Sequence, residues 1–231
     1  MGNQIINCKN DFPIFKNQQI VYLDTASTSQ KPQSVVNSII DFYQRYNANV
    51  HRGLYPWAEE ATAVYESARK KVAEYINANS ENLIFTKGTT ESINFISTSW
   101  GNENINESDN IVITEMEHHS NIVPWQILSK KTGAQLRYLP ISEDGELILD
   151  DMDKIIDENT KIVSVIHQSN VFGTINPIDL IIKEAHKKGA RVLVDAAQSI
   201  AHQEIDVKDI NCDFLVFSGH KMLGPTGIGA L

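Results

Sequence analysis

Phe214-Leu215-Val216-Phe217-Ser218-Gly219-His220-Lys221-Met222-Leu223-Gly224-Pro225-Thr226-Gly227-Ile228-Gly229 is the stretch on which the fold is read. Four apolar residues followed by small and hydroxyl residues place Lys221 at the end of a buried strand, facing a polar pocket. Such a lysine is either a phosphate clamp or a Schiff-base lysine. Upstream, Arg191-Val192-Leu193-Val194-Asp195-Ala196-Ala197-Gln198 has the same design, a buried β-branched strand with a carboxylate at its carboxyl end. Ligands of open parallel sheets gather outside the carboxyl ends of the strands, so Asp195 and Lys221 are expected to converge at one edge.

Working outward, strand, glycine turn and helix alternate from Asn82 onward. The repeat predicts a three-layer α/β/α sandwich with a mostly parallel central sheet. Strands are expected at Leu83 to Thr86, Asn110 to Thr114, Gln135 to Leu139 and Ile162 to Ile166. A crossover helix carries Ile178, Ile181, Ile182 and Ala185 and closes at Gly189. Ahead of the repeat, Ile20 to Asp24 reads as a short strand. Pro32 then opens a helix whose Val36, Ile39, Ile40 and Tyr43 fall on one face, to be packed on the core. A longer helix presents Ala61, Val64, Tyr65, Ala68, Val72, Tyr75 and Ile76. No internal repeat, linker or low-complexity tract interrupts the chain.

Several residues at element ends carry two readings. Thr89 and Thr90, after Gly88, offer hydroxyls and backbone N–H groups to a phosphate at a helix N-terminus, although threonine is also an ordinary N-cap. His118 and His119 follow the Asn110 strand; adjacent side chains point apart, and such a pair also serves at caps and surfaces. Asn170 sits beyond the strand ending at Ile166, as a ligand contact or a plain turn residue. Asn49-Val50-His51-Arg52-Gly53 reads as a solvated turn, the acidic run Asp150 to Asp157 as a short solvated helix, and Trp125 as core.

The 231 residues, 42% of them hydrophobic, suffice for one large core without covalent staples. A net charge of −9 disfavours a nucleic-acid backbone as partner. Cys8 and Cys212 lie far apart without CxxC spacing, so neither a metal site nor a disulfide framework is suggested, and a reducing compartment fits. No run approaches the eighteen apolar residues of a membrane span, and no partner membrane is expected.

A strand ending in Asp and a second ending in Ser-x-His-Lys is what pyridoxal phosphate requires, the lysine forming an imine and the aspartate protonating the ring nitrogen. Together with DAAQS at 195–199 and SGHKMLGPTGIGAL at 218–231, the motifs TEMEHHSNIVPWQ at 114–126, KGTTESIN at 87–94 and YLDTASTSQKP at 22–32 resemble cysteine desulfurases of the Suf-type, group II branch of the aminotransferase class V family.

The resemblance implies the large domain of a fold type I pyridoxal-phosphate enzyme over residues 21–231, preceded by a segment at 1–20, with the small C-terminal domain absent. It implies Lys221 and His118 as catalytic residues, with His118 flat against the cofactor ring. Thr89, Thr90, Ser218 and His220 would hold the phosphate, Gln198 the phenolic oxygen, and Asp195 the ring nitrogen. Asn170 and Ala26 would meet substrate, and His51 and Arg52 would reach a partner subunit's site.

The implied reaction converts L-cysteine to alanine in a cytoplasmic homodimer, with sulfur passed through an enzyme cysteine to a Suf-type acceptor protein for iron–sulfur clusters. That cysteine and the arginine gripping the substrate carboxylate lie beyond the lysine in the family, and Cys212, leading into a core strand, is no replacement. Selenocysteine lyase, cysteine sulfinate desulfinase, an epimerase-like relative and a non-catalytic binding fragment remain alternatives.

Overall fold

The computed structural model describes residues 8–16, 18 and 20–231. A seven-stranded sheet in the order β1-β7-β6-β5-β4-β2-β3 forms the middle layer. Its parallel part comprises β2 (Asn110–Thr114), β3 (Gln135–Leu139), β4 (Thr160–Ile166), β5 (Arg191–Asp195) and β6 (Phe214–Ser218). At one edge β7 (Gly229–Ala230) pairs antiparallel with β6, and β1 (Phe85–Thr86) with β7.

Period-two alternation explains why the sheet is covered on both faces. Ile111, Ile113, Ile162, Leu193 and Val216 pack on one side against Ile93 and Ile96 of α3 (Thr89–Ile96) and Trp125 and Leu128 of α5 (Val123–Thr132). Between these helices the chain widens into a π turn, Ser97–Gly101, and the short α4 (Asn102–Asn104). Val112, Val163, Val165, Val192 and Val194 face the other way, onto Ile178, Ile181, Ile182 and Ala185 of α7 (Ile178–Lys187). Burying those three isoleucines contributes roughly 5–9 kcal/mol before entropy is counted. The short helices α6 (Met152–Ile155) and α8 (Val207–Ile210) close the same face. Winding reverses between β2 and β4, which opens a crevice at their carboxyl ends.

The amino-terminal part departs from expectation. Residues 20–24 form no strand, and Val21 and Leu23 are 81% and 88% exposed; the edge strands of the sheet are β1 and β3. Helix α1 (Gln33–Arg45) forms where Pro32 predicts it, yet none of its residues is buried, and the stripe of Ile39, Ile40 and Tyr43 faces outward. The longer helix α2 (Pro56–Tyr75) buries only Ala58, Ala61 and Ala73. The strand expected at Leu83 to Thr86 shrinks to Phe85–Thr86, with Ile84 continuing its pairing through two backbone hydrogen bonds to Leu231. Part of the 1–20 segment lies outside the described residues. Among those described, no helix is long and apolar enough to cross a membrane.

Candidate active site

Strand ends build the site. Register pairs Ile166 with Asp195 and Asp195 with Val216, so the β5 carboxylate stands between the ends of β4 and β6. β6 finishes at Ser218 and turns through a single 3-10 turn, Gly219–Lys221, which delivers Lys221. The turn after β2 brings His118, the turn after β4 brings Asn170, and the start of α3 brings Thr89 and Thr90. Gln198 comes from the turn after β5, and Ala26 from the amino-terminal segment. With Ser218 and His220, these residues surround a cavity of about 360 Å³. His51 and Arg52 are not brought there. The His51 N–H donates to Thr62 Oγ1 at 2.9 Å, and its Nε2 pairs with Glu66 Oε1 at 2.7 Å.

Glycine permits the closest approach in the cavity wall. A Cβ on Gly229 would lie 2.5 Å from Gly88 Cα, and Gly88 has φ 152°, so β7 and the loop entering α3 cross backbone to backbone. That contact sets Thr89 over Ser218. The Thr89 N–H donates to Ser218 Oγ at 2.8 Å, and the two hydroxyls are 2.8 Å apart. Positive helix-terminal charge, two hydroxyls and a backbone N–H suit a phosphate.

Asp195 is 1% exposed, and the only hydrogen bond to its carboxylate among the described residues comes from Ala197 N–H at 2.9 Å. Burial pushes its pKa up to about 6, against the lowering pull of that N–H and of Lys221. The Lys221 ammonium has no hydrogen bond or ion pair among the described residues; burial lowers its pKa, and Asp195 opposes the shift. An underpaired buried carboxylate and an underpaired amine in one cavity fit a ligand bearing a protonated ring nitrogen and a carbonyl.

His118 Nδ1 accepts the Ser120 N–H at 3.1 Å, which leaves the proton of the neutral ring on Nε2. Burial lowers its pKa first, then Lys221 and His119, so the ring is held uncharged. Gln198 donates one Nε2 hydrogen to Ala26 O at 2.9 Å, which leaves its second N–H and its carbonyl oxygen for a ligand. Cys212 lies outside the cavity, its thiol pushed up to about 12 by burial and by Asp213.

Two sets of residues escaped the sequence reading. Glu117 is 7% exposed, with Thr114 Oγ1 and Ile166 N–H on Oε1 at 2.7 and 2.8 Å and Asn121 Nδ2 on Oε2 at 2.6 Å. Polar partners at the third residue before it and the fourth after it were the available signal. Thr28, Ser29 and Lys31 form the second set, whose partner His220 O lies 189 to 192 residues along the chain and gives no local signal.

A buried carboxylate and a lysine at neighbouring strand ends of such a sandwich define a class, the pyridoxal-phosphate-dependent transferase fold. Comparison with known proteins narrows it. The family model for class V aminotransferases matches residues 21–231, and the chain belongs to that family.

A probable cysteine desulfurase of Halalkalibacterium halodurans is 53% identical over 96% of this chain and 56% of that protein. A cysteine desulfurase of Enterobacter is 49% identical over 100% of this chain and 58% of its own length. Among solved structures, the apo cysteine desulfurase of Thermococcus onnurineus superposes with a TM-score of 0.91 at 42% identity, covering 96% of this chain and 55% of that one. The Escherichia coli cysteine desulfurase CsdA gives 0.87 at 38% identity, covering 96% and 56%. The chain thus spans a little over half the length of these relatives.

Proposed function

We propose that residues 21–231 are the cofactor-binding large domain of a Suf-type cysteine desulfurase that acts on L-cysteine as a cytoplasmic homodimer and passes sulfur to a Suf-type acceptor protein. The observation that carries this reading is the underpaired Lys221 ammonium and Asp195 carboxylate facing one cavity. When bound, pyridoxal phosphate supplies an electron sink for negative charge at the substrate Cα.

Lys221 would hold the cofactor covalently and would serve as the base that moves a proton at the substrate Cα; its lowered pKa favours the free amine that both tasks need. Asp195 keeps the ring nitrogen protonated by opposite charge in a site shut off from water. His118, held as the Nε2–H tautomer, would cover the ring and could hand on a proton from Nε2. Thr89, Thr90, Ser218 and His220 receive the phosphate, and Gln198 and Asn170 border the ring oxygen. Asn170 and Ala26 meet the substrate, and His51 and Arg52 serve the neighbouring subunit's site.

Among the described residues, no cysteine and no arginine lines the cavity. Sulfur transfer needs a thiolate, and a substrate carboxylate is gripped in bidentate fashion only by arginine. The chain alone is therefore expected to bind cofactor and to release no sulfide from L-cysteine beyond the rate of free pyridoxal phosphate. Purified with pyridoxal phosphate, it should give a visible absorbance band and a borohydride-fixed adduct on Lys221. Lys221→Ala should abolish both; the same fixed adduct in that variant would refute the assignment.

A further inference from the structure

The peptide joining His220 to Lys221 is gripped by the amino-terminal segment. Its carbonyl oxygen accepts from Ser29 N–H, Ser29 Oγ and Lys31 Nζ, each at 2.9 Å, with Thr28 Oγ1 at 3.3 Å. Lys31 Nζ donates to Ser29 O as well. Ser29 Oγ in turn accepts the N–H of Leu223 at 2.8 Å. Leu223 has φ 68°, a left-handed conformation that a leucine keeps only where its surroundings impose it. Ser29 is 3% exposed, so the grip is closed to water on that side. A carbonyl has two lone pairs, and the ammonium is the only charged donor among the four, which makes it the strongest claimant.

We propose that Lys31, acting with Ser29 through the His220 carbonyl, is the positioning residue of Lys221; the proposal rests on reading Lys221 as the cofactor-bearing lysine. The side chain of Lys221 is long and unanchored, so the reach of Nζ into the cavity is set by the backbone of a three-residue turn. The turn is bounded by Gly219 and Gly224, which restrain it little by themselves. Backbone bonds fix its start, Gly219 N–H to Ile228 O at 2.9 Å and Met222 and Gly224 N–H to Gly219 O at 3.0 and 2.9 Å, while Lys31 and Ser29 supply the side-chain restraint on both sides of Lys221, at His220 O and Leu223 N.

The same ammonium faces His220. Burial lowers the His220 pKa first, then Lys221, then Lys31, while Thr28 Oγ1 sits 3.2 Å from its Nδ1. No carboxylate forms an ion pair with Lys31 or His220 among the described residues, so no paired charge opposes that lowering.

The test compares Lys31→Met, Lys31→Arg and Ser29→Ala with the wild-type chain, using pyridoxal phosphate as the probe. Lys31→Met should slow formation of the borohydride-trapped Lys221 adduct about tenfold or more, the size of one lost charge-assisted hydrogen bond. Lys31→Arg should restore most of that rate. In cofactor-free protein, amide hydrogen exchange of residues 219–224 should quicken in Lys31→Met while β4 and β5 stay protected. A plain staple of the amino-terminal segment would alter stability without altering attachment or its rescue by arginine.

Attachment at the wild-type rate in Lys31→Met would overturn the proposal, as would failure of arginine to rescue it. Should Lys31→Met not fold, Lys31→Arg must attach cofactor near the wild-type rate and Ser29→Ala must be slower; the reverse order overturns it. A wild-type chain that forms no adduct on Lys221 would overturn the cofactor reading itself, before any variant is compared.

Discussion

Replacing Glu117 by glutamine tests which of two opposing forces governs a buried carboxyl. Three donors converge on it, which favours the charged form, while complete burial favours the neutral one and pushes the pKa up to about 8. As a neutral acid it can donate to Thr114 Oγ1, the one partner able to switch from donor to acceptor. Glutamine offers one oxygen where the carboxyl offers two, so either Ile166 N–H or Asn121 Nδ2 must face an amide NH₂. That mismatch costs about 1–3 kcal/mol.

The pH dependence carries the sharper test. The folded state holds the proton more tightly than the unfolded chain, so this group's stabilisation is complete below the ordinary value of 4.5 and is lost as pH rises to about 8. Each unit is about 1.36 kcal/mol, so between pH 6 and 8 the loss is about 2–3 kcal/mol, or about 5–10 °C in melting temperature at this chain length. Glutamine does not titrate, so the difference between the two proteins reports the Glu117 proton together with its charge coupling to Asp195. Thermal melts by circular dichroism at several pH values should therefore show the wild type ahead of Glu117→Gln by most at low pH, the gap narrowing toward pH 8. A gap that widens with pH would mean that the three donors win and that Glu117 is a buried carboxylate.

Other outcomes follow from the same geometry. Asp213 accepts from Val192 N–H at 2.8 Å, His186 Nε2 at 2.9 Å and Arg191 at 2.6 Å, so Asp213→Ala should lower stability by about 1–3 kcal/mol in chemical denaturation. Burial pushes its pKa up, but the bonds from His186, Val192 and Arg191 hold it below the ordinary 3.8; its stabilisation is present above that value and lost as pH falls through the folded one. An acid titration in which wild type and Asp213→Ala converge at low pH checks the sign. His118→Ala should weaken pyridoxal phosphate binding measured by fluorescence, the stacked ring contributing about 0.5–1.5 kcal/mol beyond burial; a larger effect from His119→Ala would show that the other histidine does the stacking. Iodoacetamide at pH 8 should label exposed Cys8 well before Cys212, whose thiol is pushed up to about 12, as peptide mass spectrometry would report.

The central sheet was legible because its signal is local. Strands such as Asn110–Thr114 and Gln135–Leu139 are bounded by polar residues and turns, and Asp195 and Lys221 sit where strands end. What the sequence hid is set by distant partners. An apolar stripe on α1 reads as core, yet its burial depends on a surface that the chain does not place beneath it. The Ile20 segment reads as a strand, yet it joins no strand of the sheet, whose edges are β1 and β3. Glu117 sits among motif residues whose histidine draws the eye, and nothing local announces that its carboxyl will meet Ile166 N–H. Lys31 is still less visible, since its partner His220 lies 189 residues away.

That last separation bears on the order in which the molecule can come together. Strands β2 to β5 pair with near neighbours in sequence and can associate as soon as they leave the ribosome. By contrast, β1 waits for Gly229 and Ala230, about 145 residues on, and the 28–31 grip waits for His220, about 190 residues on, so both early segments must be held open while that length is made. The grip that seats Lys221 thus forms during synthesis only after strands β2 to β5 have been made, and the cofactor lysine is fixed later than the sheet that carries Asp195.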